Sequence, residues 1–315
     1  MKNIHLYLII LAAVTFSACN RLQPKVTRTD TPTSGVASIV CEDCFSPIIQ
    51  EEIAVFQGLN GEAQINPVYT NEVDAMNLFL KDSIRLIVVA RDLTSAEDQS
   101  IRSRELIPRS KKIAIDGVAL IINRQNKDSL ISVSNLKKIV TGEIRDWKDL
   151  NPKSSLGKIR VVFDNPNSST VRFIKDTICE GKPFSDNIKA MLSNQSVIDF
   201  VSKTPNALGL IGVNWIGNEK DTTNLSFTNK VRVMSVSPYD DARLDNSYKP
   251  FAAYLALGKY PFYRDIYMII SDVQGGLTSG FMQFVTSDRG QRIILKSGLV
   301  PATRPTRLIS VREEI

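Results

Sequence analysis

Short apolar runs alternate with amphipathic stretches along the chain from Gly35 onward. These runs are rich in β-branched residues and do not alternate with polar positions, which is typical of strands covered on both faces of a sheet. They predict strands at Val36–Val40, Leu86–Ala90, Val118–Ile122, Ile159–Phe163, Leu208–Ile211, Val231–Val236 and Ile266–Ile270. The alternation of strands with helical stretches predicts an α/β fold with mostly parallel sheets.

Helical spacing of apolar residues fills the intervals between these strands. Ser46 and Pro47 predict the N-cap and first-turn proline of a helix that carries Ile49, Ile53 and Phe56 on one face. Further helices are predicted at Glu72–Lys81, Ser134–Val140 and Phe281–Val285.

The segment 112–121 is unusual, because two short strand-like runs meet there with only Asp116 and Gly117 between them. A chain that crosses between two lobes has this appearance. We therefore expect a hinge at this point, with Asp116 as a residue of the hinge turn rather than a ligand.

The N-terminal residues have the pattern of an export signal. Lys2 precedes the apolar stretch Ile4–Val14, which is too short to span a bilayer. The residues Phe16–Cys19 then resemble a lipobox, where signal peptidase cuts and Cys19 receives a lipid. We expect residues 1–18 to be a lipoprotein signal peptide and residues 19–34 to be a flexible tether. Ordinary secretory cleavage at the same place is the alternative.

The composition excludes several kinds of catalysis. The 315 residues include one His, His5, which lies in the predicted signal peptide, so histidine-based triads and HExxH zinc sites are excluded from the mature chain. Removal of residues 1–18 lowers the formal charge from +6 to +5, which suits a protein that handles anions. Since no basic block carries interleaved aromatics, nucleic acid is not an expected partner.

A Cys-x-x-Cys motif is formed by Cys41 and Cys44. In an exported protein these two residues form a disulfide or remain as two small buried thiols. The acidic residues between them disfavour a reactive thiolate, so redox catalysis is not expected.

The strongest candidate for a binding site is the polar turn that follows the strand Ile159–Phe163. It runs from Asp164 through Asn167 to Ser168, Ser169 and Thr170, where a helix is expected to begin. Free backbone N–H groups, the helix dipole and three hydroxyls would together favour an anion. An ordinary hydroxyl N-cap is the alternative.

Motifs that recur together in one protein family are spread along the chain. They are LKKIVTGEIRDWKDL at 136–150, which matches LxxIxxGxIxxWxDL, PNALGLIG at 205–212, GQRI at 290–293 with GLVP at 298–301, and ARDL at 90–93 with Glu97. In this order and spacing, with Ser168-Ser169-Thr170 in place of Ser-Gly-Thr, they resemble the periplasmic phosphate-binding proteins of ABC transporters.

This resemblance implies an α/β protein of two Rossmann-like lobes joined by a hinge, with the type 2 periplasmic-binding-protein architecture. The expected first lobe comprises residues 35–115 and 240–309, the second comprises residues 116–239, and residues 310–315 form a C-terminal tail.

The function that the resemblance implies is solute binding. The protein would capture phosphate between its lobes and deliver it to an ABC permease of the inner membrane. It would act as a monomer, anchored by Cys19 on the periplasmic side of a cell membrane, without catalysis, cofactor or metal. The alternatives are another oxyanion, or phosphate sensing without transport. A periplasmic enzyme has weak support, because no nucleophile has a base partner and no metal-ligand cluster is visible.

The resemblance also places ligand-binding residues on three loops, and this chain departs from the family pattern in each. The Arg and Asp that many members carry ahead of Ser-Gly-Thr are replaced by Asp164 and Pro166. Cys44, followed by Phe45, replaces a hydroxyl in the first loop, and Glu72 stands in the second. We favour the backbone amide of Phe45 over its ring as a ligand contact.

An anion in a cleft requires a compensating cation, and Arg91 and Arg172 are the candidates because a guanidinium offers paired donors. The alternatives are a salt bridge of Arg91 to Asp92, Glu97 or another acid, and a solvated helix face for Arg172. A carboxylate in the cleft would accept the proton of phosphate and repel a fully ionised oxyanion.

Asp164, Asp43 and Glu72 are the available carboxylates, although Asp164 could instead cap its turn. Trp147 and Trp215 are expected to be core residues rather than ligand platforms.

Overall fold

A computed structural model describes residues 30–303 except 219, 222, 224, 225, 273 and 274. The predicted signal peptide, the lipidation site Cys19, most of the tether and the C-terminal tail lie outside the described residues. Within the described part, no helix combines the length and the apolar character needed to cross a bilayer.

The strands of the described residues form one large mixed sheet and one two-stranded sheet. Their bounds are β1 Gly35–Glu42, β2 Ala63–Thr70, β3 Leu86–Val89, β4 Arg109–Ile122, β5 Leu130–Ser132, β6 Arg160–Phe163, β7 Ile188–Ala190, β8 Ala207–Gly212, β9 Arg232–Val233, β10 Ser235–Ser237, β11 Tyr263–Ile270 and β12 Val300–Pro301. The large sheet has the order β2-β1-β3-β11-β4-β8-β6-β7, with β9 and β12 also paired to β4, while β5 and β10 pair with each other.

The helices lie in the connections between the strands and pack against the sheet. Their bounds are α1 Ser46–Leu59, α2 Glu72–Leu80, α3 Ser95–Arg102, α4 Val133–Thr141, α5 Trp147–Leu150, α6 Ser169–Phe173, α7 Asn194–Lys203, α8 Ala252–Ala256, α9 Leu277–Thr286 and α10 Asp288–Lys296. A short 3₁₀ turn at Asp43–Phe45 precedes α1, so this helix begins at Ser46 and its N-cap is Phe45 rather than the predicted Ser46.

The α/β class is confirmed, but the sheet is less parallel than predicted. Strand β1 pairs in parallel with β2 and β3, and β6 pairs in parallel with β7 and β8. The central strands β4 and β11 run antiparallel to each other and to their other neighbours in the sheet. These two strands lie between a first half of the sheet, formed by β1, β2 and β3, and a second half, formed by β6, β7 and β8. The chain passes from one half to the other along them. The predicted strand Val231–Val236 is also divided, into β9 and β10.

The predicted turn at Asp116 and Gly117 is absent, because both residues belong to the continuous strand β4. Asp116 lies opposite Arg264 of β11 in the strand register, and Gly117 lies opposite Tyr263. A Cβ at Gly117 would approach the side chains of Leu255 and Val213 to 3.0 Å, so close packing accounts for this glycine.

Strand β4 contributes to the hydrophobic cores of both halves of the sheet. Ile113 and Ala114 pack with residues of β1, β3, α1 and α9, whereas Val118 and Leu120 pack with residues of α4, β6 and β8. Tyr260 and Phe262, just ahead of β11, belong to the same core as Val118 and Leu120. The chain therefore passes between the halves on two adjacent strands, near Asp116 and near Arg264.

Candidate functional site

Three loops that are distant in the sequence meet between the two halves of the sheet. They are the 3₁₀ turn Asp43–Phe45 after β1, the start of α2 at Glu72, and the segment 164–170 that joins β6 to α6. The polar residues Asp164, Ser168, Ser169 and Thr170 in this last segment are buried. The predicted loop therefore lies inside the protein, where each polar atom needs a partner.

Ser168 acts as a helix cap, which is the alternative that the sequence left open for this segment. Its hydroxyl accepts from the Val171 amide at 3.3 Å and donates to Oδ1 of Asp164 at 2.7 Å. The amide of Ser169 donates at 2.6 Å to Oε1 of Glu42, a carboxylate from the end of β1. The backbone amides of Ser169 and Val171, at the helix start that was expected to bind an anion, therefore already donate to side chains of the protein itself.

The hydroxyls of Ser169 and Thr170 are held differently, because both accept from the same guanidinium. Nη1 of Arg264 donates to Ser169 Oγ at 2.7 Å and to Thr170 Oγ1 at 3.3 Å. A hydroxyl that accepts from a cation retains its own proton for donation. These two hydroxyls can thus donate to an oxyanion while the positive charge of Arg264 lies directly next to them, and both features favour oxyanion binding.

Arg264 is the functional candidate that sequence reasoning missed. It is 5% exposed, and its Nε and Nη2 donate to Oδ2 of Asp116 at 3.0 and 2.9 Å. Its Cζ lies 5.1 Å from the centre of the Phe45 ring. Desolvation lowers the pKa of Arg264, but the negative groups around it, Asp116 foremost, raise that pKa above its ordinary value, so the side chain stays charged.

A sequence signal for Arg264 did exist. In β11 the alternate residues Arg264, Ile266 and Met268 are buried, so the arginine stands at an inward position of an otherwise apolar strand. A charged residue at such a position is buried only when it is paired, which marks it as a candidate.

Glu42 is a second residue that the sequence did not single out. Its side chain is buried, and its Oε2 has no hydrogen-bond partner among the described residues. Burial, with a contribution from Glu72, raises the pKa of Glu42 to about 8, although Arg264 and Ser169 act in the opposite direction. Glu42 is therefore mostly protonated at neutral pH and does not repel an anion there.

The predicted residue Cys44 joins the same cluster through its thiol. The Sγ donates to Oδ2 of Asp164 at 3.1 Å and lies 3.5 Å from Oγ1 of Thr170. Burial and the neighbouring Asp164 raise the pKa of Cys44 well above its usual value, so the thiol stays protonated. Cys41, Cys44 and Cys179 are all free and buried, so the thiol alternative holds for the Cys-x-x-Cys motif.

Side chains from the second half of the sheet fix the turn that carries Cys44. Its carbonyl oxygen accepts from Asn214 Nδ2 at 2.8 Å and from Trp215 Nε1 at 3.1 Å. Asn194 donates to Oδ2 of Asp43 at 3.0 Å. Trp147 is fully buried in the core as expected, whereas Trp215 is half-buried and contacts the site through its indole N–H, which donates to the Cys44 carbonyl.

The two arginines named from the sequence are both paired with carboxylates. Arg172 donates to both oxygens of Glu72, with Nη2 at 3.0 Å from Oε2, and Glu72 is buried. Arg91 forms a fork with Glu97 at 2.7 and 2.8 Å, and this contact lowers the pKa of Glu97 to about 2. The structure does not bring Arg91 into contact with the hydroxyl cluster. Asn167 is exposed, and its carbonyl accepts from the Val73 amide at 3.4 Å.

A cavity of about 260 Å³ opens beside the cluster. Its wall is made of polar and acidic residues, namely Glu42, Asp43, Tyr69, Thr70, Asn71, Asp164, Asn165, Ser168, Leu192 and Ser193. Neither Lys nor Arg lines it among the described residues. The hydroxyls of Ser169 and Thr170 lie behind this wall, next to Arg264. Within the described residues, no group of His, Cys, Asp and Glu is placed to hold a metal ion.

Comparison with known proteins places most of the described fold in one superfamily. The family model for the PBP superfamily domain matches residues 26–289. The phosphate-binding protein PstS of Borreliella burgdorferi is 24% identical over 273 residues, which cover 84% of this chain and 89% of that protein. PstS of Bacillus subtilis is also 24% identical over 273 residues, with 86% and 82% covered.

Solved structures show the same fold. A putative phosphate ABC transporter substrate-binding protein of Clostridium perfringens, with bound phosphate, has a TM-score of 0.71 and 19% identity, covering 85% of this chain and 100% of that one. An ABC-type phosphate transport receptor of Vibrio cholerae has a TM-score of 0.62 and 17% identity, with 84% and 99% covered. These matches confirm the family resemblance and the fold class predicted from the motifs.

Proposed function

Because the chain belongs to the PBP superfamily, we propose that it is a solute-binding protein that captures phosphate between its lobes and delivers it to an ABC permease. Relatives with phosphate-binding names cover more than four-fifths of this chain, which supports the proposal. The single observation that carries it is the pair of hydroxyls of Ser169 and Thr170, both backed by the buried Arg264.

The proposed site replaces the arginine missing from the binding loop with an arginine from another strand. Asp164 stands where family members carry Arg, and Arg264 of β11 supplies a positive charge behind the same loop. The hydroxyls of Ser169 and Thr170 are the proposed donors to the oxyanion, while the thiol of Cys44 donates its one proton to Asp164. Asp164 is the proposed acceptor for a proton of phosphate.

The proposed lobes are the two halves of the sheet, joined where β4 and β11 pass between them. The Asp116–Arg264 ion pair lies at this junction, beside the hydroxyls of the loop 164–170. We propose that ligand entry and release involve bending at these two strands, since hinge closure is the common motion of two-lobed binding proteins. The protein carries out no chemical step, because its role is capture and delivery.

The proposed setting is the periplasmic side of a cell membrane, with the protein monomeric and held by a lipid on Cys19. The support is the sequence pattern of residues 1–19 and the role of the relatives. Phosphate sensing without transport uses the same site and differs in the partner.

Calorimetric titration of the purified protein with phosphate, arsenate and sulfate tests the proposal. Wild type should bind phosphate, and Thr170→Ala should weaken the binding by roughly tenfold to a hundredfold, because it removes one hydrogen bond to a charged ligand. Thr286→Ala is the matched control, since its hydroxyl bonds to the Met282 carbonyl of its own helix. If folded wild-type protein binds none of the three anions, the proposal is wrong.

A further inference from the structure

Glu42 places a buried carboxyl group at the wall of the cavity beside the hydroxyl cluster. This residue is the last of β1, is 1% exposed, and lines the cavity. Its Oε1 accepts from the Ser169 amide at 2.6 Å, whereas its Oε2 has no hydrogen-bond partner among the described residues. A buried polar atom without a partner is costly, so Oε2 marks a place where a bound molecule would complete a hydrogen bond.

The titratable groups that act on Glu42 come from four elements. Cys41 of β1 and Cys44 of the following 3₁₀ turn are neutral, because burial raises the pKa of both thiols well above its usual value. Glu72 of α2 raises the pKa of Glu42, whereas Arg264 of β11 lowers it.

The two charged neighbours already have partners of opposite charge. Arg264 pairs with Asp116, and Glu72 pairs with Arg172. The carboxyl oxygens of Glu42 have no partner among the described residues except the Ser169 amide, so no cation is paired with them there. Burying an ionised carboxylate without a cationic partner costs far more than burying a neutral acid, so the side chain of Glu42 is protonated at neutral pH.

The hydrogen bond on Oε1 decides where this proton lies. Because Oε1 accepts from an N–H group, the proton is carried by Oε2, which makes Oε2 a donor without an acceptor. Ser169 connects this donor to the proposed binding site, since its hydroxyl accepts from Arg264 Nη1 at 2.7 Å and keeps its own proton for a ligand. An oxyanion at this hydroxyl would therefore lie beside Oε2, and O–H donation to an anion is among the strong hydrogen bonds.

We infer that Glu42 is a ligand-binding residue that acts as a neutral acid, with its Oε2–H donating to the oxyanion held by the hydroxyls of Ser169 and Thr170. The proton stays on Glu42, and no covalent bond is formed or broken. Two carboxyl groups then have opposite roles, because Asp164 is the proposed acceptor for a proton of phosphate. This inference rests on the proposed oxyanion binding and adds a dependence of its affinity on pH.

The sign of the pH dependence follows from the form of Glu42 that binds. The protonated acid donates to the oxyanion, whereas the ionised carboxylate would repel it. With a pKa of about 8, Glu42 is protonated in about nine-tenths of the molecules at pH 7 and in about one-tenth at pH 9. Since apparent affinity scales with the fraction of competent protein, the contribution of Glu42 should lower the affinity about tenfold over this interval.

Calorimetric titration with inorganic phosphate at pH 7 and pH 9 tests the inference. Glu42→Gln keeps a donor and an acceptor in nearly the same shape but does not titrate. The fall in affinity from pH 7 to pH 9 should be about tenfold larger in wild type than in Glu42→Gln, and this comparison cancels the ionisation of phosphate itself. Glu62→Gln, which changes an exposed glutamate, is the matched control and should show the same fall as wild type.

Removal of the donor gives a second comparison. Glu42→Ala should bind phosphate at least tenfold more weakly than wild type at pH 7, because one charge-assisted hydrogen bond is lost, and Glu42→Gln should recover part of this loss. Thermal melting checks that the variants fold at both pH values.

A measurement on wild type alone decides the question if the variants do not fold. Infrared difference spectra at pH 7 report the carbonyl band of protonated carboxyl groups, and addition of phosphate should shift this band. Glu52, whose pKa is also raised, does not line the cavity. An unchanged band in protein that binds phosphate would overturn the inference.

The possible failures are distinguishable. An equal fall in affinity for wild type and Glu42→Gln overturns the role of Glu42 and leaves the proposed function intact. Tighter phosphate binding by Glu42→Ala than by wild type at pH 7 also overturns it, because the side chain would then compete with the anion. Absence of phosphate binding by folded wild type at both pH values overturns both the inference and the proposed function.

Discussion

The charge of Arg264 is the feature on which oxyanion binding should depend most strongly. Its removal alone would leave Asp116, which is fully buried, without a charged partner. Breaking a buried ion pair in this way costs about 3–5 kcal/mol of stability. The informative perturbation is therefore the double variant Arg264→Gln with Asp116→Asn, which removes both charges and leaves groups that can hydrogen-bond to each other.

The expected loss of affinity follows from the position of the guanidinium behind the hydroxyls. Arg264 Nη1 is 2.7 Å from Ser169 Oγ, so an oxyanion that accepts from this hydroxyl would lie about 5 Å from the positive charge. At an effective dielectric constant of about 20, this interaction is worth about 3 kcal/mol. The double variant also removes the negative charge of Asp116, which lies on the far side of the guanidinium and offsets part of this attraction, so a loss of about 150-fold in phosphate affinity is the upper limit and a smaller but clear loss is expected.

Two measurements separate binding from folding. Urea denaturation should show a loss of about 3–5 kcal/mol for Arg264→Gln alone, and a smaller loss for the double variant. Calorimetry with phosphate should show weak binding for the double variant. Arg102→Gln is the control, because this exposed arginine is paired with Asp98 on α3, and the affinity of this variant should stay close to wild type. A folded double variant with wild-type affinity would refute the assignment of Arg264.

Three further outcomes are expected. Burial raises the pKa of Glu52 to about 9, and neither carboxyl oxygen has a partner among the described residues. Since this folded pKa lies above the usual 4.5, the stability from this group is complete below pH 4.5 and is lost as the pH rises towards 9, about 3 kcal/mol by pH 7. Melting temperatures from pH 5 to 8.5 should therefore fall less in Glu52→Gln than in wild type, and equal falls would contradict this; the exposed Glu62→Gln should behave as wild type. If Asp164 accepts the proton of phosphate, calorimetry on Asp164→Asn should show a narrower gap between phosphate and sulfate, whereas equal weakening of both would indicate a cap. Cys19→Ser should release the protein from membranes on fractionation, and retention without a partner would count against lipidation.

Local pattern was sufficient to predict most of the elements, including the polar turn and helix start at residues 164–170 that we propose as the binding loop. Apolar runs such as Leu86–Ala90 and Ile266–Ile270 were correctly assigned to strands, because the burial of a strand on both faces requires a continuous apolar segment. The loop 164–170 was predictable because a strand, a polar turn and hydroxyl residues before a helix form a local unit. The continuity of β4 through Asp116 was not predictable in this way, because it depends on pairing with β11.

What the sequence by itself determined was thus the α/β class, the family and the segment that carries Ser169 and Thr170. The tertiary structure decided which charged side chains lie beside Ser169 and Thr170. Arg264 and Asp116 are 148 residues apart in the chain, and their pairing exists only because β11 returns beside β4. The same folding pairs Arg172 with Glu72 and leaves Oε2 of Glu42, at the wall of the cavity, without a hydrogen-bond partner among the described residues. Short-range propensity is encoded in neighbouring residues, but the charge of a buried site is set by which distant side chains share it.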